Sequence, residues 1–446
     1  MHNFKGRVLR RTPKLFICFM EVIIMSFIDD TLSAVPIPKF VKVRQKFARP
    51  RVDDPAQELI SQLSSGHCLD SVKPGMSVAI TAGSRGIVNY PLLVRTMADE
   101  VKKHGGKPFI FPAMGSHGGA TAEGQRAMLA GLGITEEAMG CPVRATMETV
   151  QIGTSANGRP VYIDKYAHEA DGIIVINRIK PHTGFRGRVE SGICKMCTIG
   201  MGKQKGAAFC HAEGFDHMAE NIPAIAAVTL AKENILCGVA LIENAYHETA
   251  QITVMRKDEI LEKEPALLKR AWDLMAKIRI PEFEVLVMDE IGKNISGTGF
   301  DTNVVGRYNS DCASGGPKIR RAAALDITEA SHGNGNGLGM LDMTTMRAYK
   351  KFDMEQTYPN CITSTTPVTV KIPMVLKNDR QVFQCCIKTC NVLDCSKVRI
   401  IHIKNTLSLN EIEVSESLVP EVQADPDMEI LSTPYELSFD AEGNLF

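Results

Sequence analysis

Residues 167–217 read AHEADGIIVINRIK (167–180) followed by PHTGFRGRVESGICKMCTIGMGKQKGAAFCHAEGFDH (181–217). The first part passes from polar residues into a continuous apolar run, Gly172 to Ile176, the pattern of a parallel strand buried on both faces. The second part holds three histidines, three cysteines and seven glycines interleaved with lysines and arginines. Such a composition packs no core but lets backbone and cationic donors crowd a ligand. A long loop at the C-terminal end of a buried strand is where open α/β sheets bind their ligands.

The same plan occurs twice upstream. GMSVAIT (75–81) is a strand and AGSRGIVN (82–89) a loop; Leu93, Met97 and Val101 then recur every four residues along a helix that ends at His104-Gly105-Gly106. KPFIFPA (107–113) is a strand, MGSHGGAT (114–121) a glycine-rich loop, and AEGQRAMLAGLG (122–133) a helix. Arg85, His117 and His182 thus hold the equivalent post-strand position in three units. Parallel strands end along one sheet edge, so these side chains converge on one crevice, where Arg85 suits a carboxylate or phosphate.

Downstream, residues 219–245 read as a buried helix and a strand, and DEILEKEPALLKRAWDLMAKIR (258–279) as a charged helix broken at Pro265. Pro281 marks a linker. EFEVLVMDEIG (282–292) begins a second α/β domain whose following loop carries Asp301, Asn303 and Arg307, and AALDITEASHGNGNGLG (323–339) repeats the strand and glycine-loop plan. The expected fold is α/β, two domains with parallel-sheet cores and an active site in the cleft between them. Residues 26–281 form the first, catalytic domain and residues 282–396 the second. Residues 397–446, which contain the strand KVRIIHIKN, return to the first.

The whole chain sets bounds on function. At 446 residues it exceeds one ordinary core. Lys plus Arg and Asp plus Glu number 51 each, which leaves no electrostatic footprint for nucleic acid or an anionic membrane and points to a small-molecule partner. Thirteen irregularly spaced cysteines fit a reduced, cytoplasmic protein rather than a disulfide scaffold. The apolar run LFICFMEVIIM is short and broken by Glu21, so it does not span a membrane. The basic opening followed by that run lacks a small-residue cleavage site. Translation from Met25 is expected, with residues 1–25 a non-native or disordered extension.

Two phosphate-loop patterns fail on spacing. GMGKQKG lacks the first glycine at the required offset and has Gln204 where Ser or Thr must hold magnesium; HGNGNGLG lacks the third glycine of the dinucleotide fingerprint. A zinc reading survives: Cys194-x2-Cys197, thirteen residues, His211, five residues, His217 falls within the spacing of a structural two-cysteine, two-histidine site. A zinc hydrolase or lyase built on His117, His182 and His211 is a second alternative.

The order Arg85 after a strand, His117 in GSHGG, His182-x2-Phe185, then Lys195 and His211 sixteen residues on, resembles the nickel-pincer-nucleotide lactate racemase family. The resemblance implies an isomerase that inverts the hydroxyl-bearing carbon of a 2-hydroxy acid by internal hydride transfer. It further implies that Lys195 anchors the nickel-pincer nucleotide through a thioamide with Gly118 and Gly119 beside it, and that His211 ligates nickel. His117 and His182 become acid/base groups on opposite substrate faces, and Arg85 holds the carboxylate, with Asp301, Asn303 and Arg307 as further substrate contacts. The cofactor-synthesis enzymes are implied partners. Lys203 and Lys205 are alternative anchors. Ala82 stands where the lactate branch has an acidic residue, and Arg186, Arg188 and Glu190 replace a plain glycine and serine run. The substrate expected is therefore a larger or more polar 2-hydroxy acid than lactate, such as a sugar acid.

Overall fold

The computed structural model describes residues 27–446; the expected start at Met25 and the extension before it lie outside the described residues. In chain order the strands are β1 (Phe40–Gln45), β2 (Ser77–Ala82), β3 (Lys107–Pro112), β4 (Thr149–Thr154), β5 (Pro160–Asp164), β6 (Gly172–Arg178), β7 (Ile235–Glu243) and β8 (Thr249–Met255). There follow β9 (Val285–Ile291), β10 (Arg321–Ile327), β11 (Met343–Thr345), β12 (Met374–Leu376), β13 (Ile400–Ile403), β14 (Glu411–Ser415) and β15 (Met428–Ile430).

The first sheet has the order β3-β2-β6-β7-β8, parallel except for β8, which hairpins back from β7. Alternate residues of its strands enter different cores, as the period of a strand requires. Ala79, Ile173 and Val175 pack on one face with the helices Met218–Lys232 and Ile260–Leu274. Val78, Ile80, Ile174 and Ile176 pack on the other with helix Tyr90–Lys103, whose Leu93, Met97 and Val101 are fully buried. Covering helices on both faces are what make the uninterrupted apolar run of β6 necessary. Helix Ile260–Leu274 continues through Pro265, contrary to the expected break. The proline removes one backbone donor while the buried Leu267, Leu268 and Ala271 beyond it keep the helix on the sheet.

The second sheet has the order β12-β11-β10-β9-β13-β14-β1-β15. It is parallel from β12 to β13 and antiparallel beyond. Here the expected return of residues 397–446 to the first domain is corrected: β13 pairs in parallel with β9, Ile400 opposite Val285 and Ile403 opposite Met288. The traffic runs the other way, because β1, from the start of the chain, pairs with β14 and β15. The free edge of β9 supplies unpaired backbone groups, and the apolar KVRIIHIKN run is the segment that satisfies them.

Candidate active site

The loops after β2, β3 and β6 face the loops after β9 and β10 across a cleft of about 390 Å³. Arg85, His117, His182, Lys195 and His211 all line it, so five residues from the three segments after β2, β3 and β6 meet in one place. Each arrives by a local device. Arg85 follows β2, with Gly297 of the opposite domain so close that a Cβ there would stand 3.1 Å from the guanidinium. His117 begins the turn Gly118–Ala120, and its Nδ1 lies 2.5 Å from the Ser84 hydroxyl. His182 follows β6, its backbone N–H donating to the Glu190 carboxylate at 2.6 Å and its carbonyl accepting from Arg186 at 2.7 Å. Lys195 closes the short helix Ile193–Lys195, where the backbone widens into a π turn, Met196–Gly200. Such single π turns interrupt helices mainly at functional sites. His211 ends helix Lys203–His211.

Gly118 and Gly119 are not among the residues that line the cleft. Both have positive φ, 66° and 65°, and a Cβ on Gly118 would stand 2.7 Å from the backbone of Gly124 and Gln125. Their service is to fold the turn behind His117 onto helix Ala122–Gly131.

The second-domain expectations need a larger correction. Asp301, Asn303 and Arg307 are not on the cleft wall. Asp301 caps helix Thr302–Val305 and pairs with Lys180 at 3.1 Å; Asn303 bonds Arg186 and, at 3.3 Å, the His182 carbonyl. Arg307 pairs with Asp342 at 3.0 Å. The residues that do reach the cleft from this side begin with Lys293, directly after β9, and include Asn294, Ser296, Thr298, Asn309 and Asn336. Lys293 was legible: it occupies the post-strand position that singled out Arg85, His117 and His182. Ser84 and Asn309 carry no comparable signal in the sequence.

The wall contains Arg85, Arg178, Lys180, Lys195 and Lys293 and no carboxylate. Arg178 is answered from behind by Glu243 and Lys180 by Asp301. Among the described residues Arg85, Lys195 and Lys293 have no such partner, and the Arg85 charge bears on both lysines. Burial and the Arg85 charge lower the Lys293 ammonium to about 7 and Lys195 to about 8. Burial and Lys195 lower His211 to about 4, and burial followed by neighbouring cations holds His117 and His182 well below the usual imidazole range. The cleft is therefore an anion receptacle lined by neutral imidazoles.

Of the three candidate lysines only Lys195 lines the cleft. Lys203 is fully buried and pairs with Asp164 at 2.9 Å, and the Lys205 ammonium lies 4.4 Å over the Tyr162 ring. The zinc readings find no geometry. Cys194 and Cys197 are fully buried in the apolar core, with burial pushing both thiols far up, and no three His, Cys, Asp or Glu side chains among the described residues group to hold a metal. The cysteines among the described residues are all free thiols. No helix among those residues is long and apolar enough to cross a membrane.

Residues 39–218, which supply every first-domain wall residue, match the profile of the lactate racemase N-terminal domain. Those residues are lactate racemase-like. A solved protein from Thermotoga maritima shares the fold with a TM-score of 0.50 at 12% identity, over 81% of this chain and 99% of that one. The lactate racemase apoprotein from Thermoanaerobacterium thermosaccharolyticum superposes with a TM-score of 0.49 at 12% identity, over 83% and 99%. No curated protein matches the chain in sequence. The lactate racemase-like relation covers the domain that carries Arg85, His117, His182, Lys195 and His211.

Proposed function

We propose that this lactate racemase-like protein is an isomerase that inverts the hydroxyl-bearing carbon of a 2-hydroxy acid. The observation that carries the reading is the cleft itself: neutral histidines and unanswered cations from both domains around one cavity, without a carboxylate. Arg85, half-buried on the cavity wall, is suited to fork onto the substrate carboxylate, and Gly297 backs the guanidinium. His117, held neutral, takes the hydroxyl proton. Lys293 and Arg85 together favour the charge of a bound carboxylate.

The donor set fits the nickel-pincer nucleotide. His211 Nδ1 is buried without a hydrogen-bond partner, and imidazole is a good nickel ligand. Lys195, lowered to about 8, has an appreciable free-amine fraction for an amide-type bond. Lys195 would hold the nucleotide and His211 its metal, and the group supplies, when bound, an acceptor and donor of hydride. That role removes the need for a carbanion beside a carboxylate. The amide and hydroxyl wall of the second domain, with Asn294, Asn309 and Asn336, favours a substrate with further hydroxyl groups over the methyl group of lactate.

The test is intact mass and metal analysis of protein made beside the cofactor-synthesis enzymes, followed by polarimetry against a panel of 2-hydroxy acids. A mononucleotide adduct mapped to Lys195, stoichiometric nickel and racemisation or epimerisation are expected. Protein without adduct or nickel, under conditions that load another family member, would refute the reading.

A further inference from the structure

The loop that brings His182 to the cleft leaves a strand of the first domain, yet its backbone is held from the second. The carbonyls of His182, Thr183 and Gly184 are three consecutive acceptors, and second-domain side chains donate to each. Asn303 reaches the His182 carbonyl at 3.3 Å, the Thr302 hydroxyl the Thr183 carbonyl at 2.7 Å, and the Ser310 hydroxyl the Gly184 carbonyl at 2.5 Å. The Arg186 backbone N–H then donates to the Cys312 carbonyl at 2.9 Å. From the first domain, the Glu190 carboxylate accepts the His182 N–H at 2.6 Å, and Phe185 is fully buried in the core.

Arg186 stands at the centre of this contact. Its Nη1 donates to the His182 carbonyl at 2.7 Å and the Phe185 carbonyl at 3.0 Å. Its Nε and Nη2 donate to the Ser314 carbonyl at 3.2 and 2.9 Å, and Nη2 also meets the Asn303 side chain and, at 3.3 Å, the Tyr308 hydroxyl. The guanidinium lies 4.8 Å over the ring of Trp272, on a first-domain helix, and 5.4 Å from that of Tyr308 in the second domain. Only a planar fork with several fixed donors and two flat faces serves all these partners at once, which a lysine cannot do. None of Arg186, Glu190, Thr302 and Asn303 lines the cleft. Their polar groups are directed to the backbone around His182.

We infer that Arg186 is a positioning residue for the isomerase reaction proposed above, on which this role rests. With Glu190 on the N–H of His182 and Asn303 beside it on the carbonyl, it fixes the histidine where its imidazole can face His117, so that the paired acid/base groups are in place only while the two domains are in contact. A turn that contains Gly184 has little stiffness of its own, and a displacement of about 1 Å at a reacting group can cost on the order of 100-fold in rate. The charged residues that stand in place of a plain glycine and serine run therefore include two, Arg186 and Glu190, that act on the placement of His182 rather than on the substrate.

The first test needs no turnover. Full-length, unloaded parent protein, Arg186→Met and Thr302→Val are treated with diethyl pyrocarbonate, and modification of His182 and His117 is followed by peptide mapping. In Arg186→Met, His182 should react about tenfold faster or more, the local opening that loss of a charge-assisted hydrogen bond permits, while His117 stays within about twofold of the parent. Thr302→Val keeps the side-chain shape, loses one hydroxyl, and should show the same selectivity at smaller size; it decides the matter if Arg186→Met does not fold. An unchanged His182 rate, or equal acceleration of both histidines as general loosening would give, overturns the inference. In loaded protein Arg186→Met should lower kcat about 10- to 100-fold with KM within about threefold, and a loss confined to KM overturns the positioning role. Loaded parent protein that turns over no 2-hydroxy acid overturns the isomerase reading separately, since the modification rates do not depend on it.

Discussion

Arg85, Lys195 and Lys293 are half-buried cations from the segments after β2, β6 and β9, and their charges have no carboxylate to meet on the cleft wall. Their worth is set by the guest. Replacing Arg85 with Gln removes a charged fork and should lower kcat/KM about 10- to 100-fold, the ~1.5–3 kcal/mol of a hydrogen bond to a charged group. Unchanged kinetics in Arg85→Gln would place the carboxylate elsewhere. Lys195 offers a test by pH. Its ammonium is lowered from 10.5 to about 8 by burial and then by Arg85. The nucleophilic free amine accumulates above that value, so acylation of Lys195 should reach half its maximal rate near pH 8, read by peptide mapping across pH 6 to 11. A midpoint at the ordinary lysine value would mean that the ammonium is solvated.

The element that joins the two halves of the first-domain wall is helix Lys203–His211. One end carries His211. At the other, Lys203 has a positive φ of 55° and sends its ammonium into the interior, to Asp164 at 2.9 Å, Gln125 at 3.0 Å and the Pro112 carbonyl. Gln125 donates in turn to the carbonyls of Gly115 at 2.9 Å and His117 at 3.2 Å. The position of the metal-ligand candidate is thereby tied to the loop of the proton acceptor. Burial lowers the Lys203 ammonium and raises the Asp164 carboxyl, so desolvation outweighs their mutual attraction and the pair's contribution is geometric. Lys203→Met leaves a buried carboxyl without its partner and should cost about 3–5 kcal/mol in urea denaturation, most of it recovered in Lys203→Met with Asp164→Leu. A loss below about 1 kcal/mol would show that the pair anchors nothing. At this scale the sequence ranked Lys195 above Lys203 and Lys205 only by its spacing to His211, because no local pattern says which side chain a π turn aims into a cleft and which enters the core.

For the whole molecule, the decisive feature is a sheet assembled from both ends of the chain. β13 is held between β9 and β14 by His402, whose ring nitrogens lie 2.7 Å from Asp289 and 2.6 Å from Glu413. Burial lowers the imidazolium, but the two carboxylates outweigh it and hold the pKa at about 9, against 6.5 for an unperturbed histidine. A folded-state value above the unfolded one stabilises fully below about 6.5, and the gain is lost as pH rises through about 9. The urea midpoint should fall between pH 7 and 10 in the parent protein and lose most of that slope in His402→Gln; an unchanged slope would remove His402 as the cause.

The strand, loop and helix units of the first domain were legible because they are local. A continuous apolar run or an apolar stripe of period four is written in consecutive residues, and the loop after each such strand must emerge at one sheet edge. Arg85, His117 and His182 follow from that rule, Lys195 and His211 from the family resemblance, and all five line the cleft. Which loops of the second sheet face them is a matter of long-range pairing. Lys293 rather than Asp301, Asn303 or Arg307 faces the cavity, and β1 rather than a returning tail crosses between the domains. Those outcomes depend on which strand edges remain unpaired and on how one packed sheet meets the other, quantities that no window of local sequence contains.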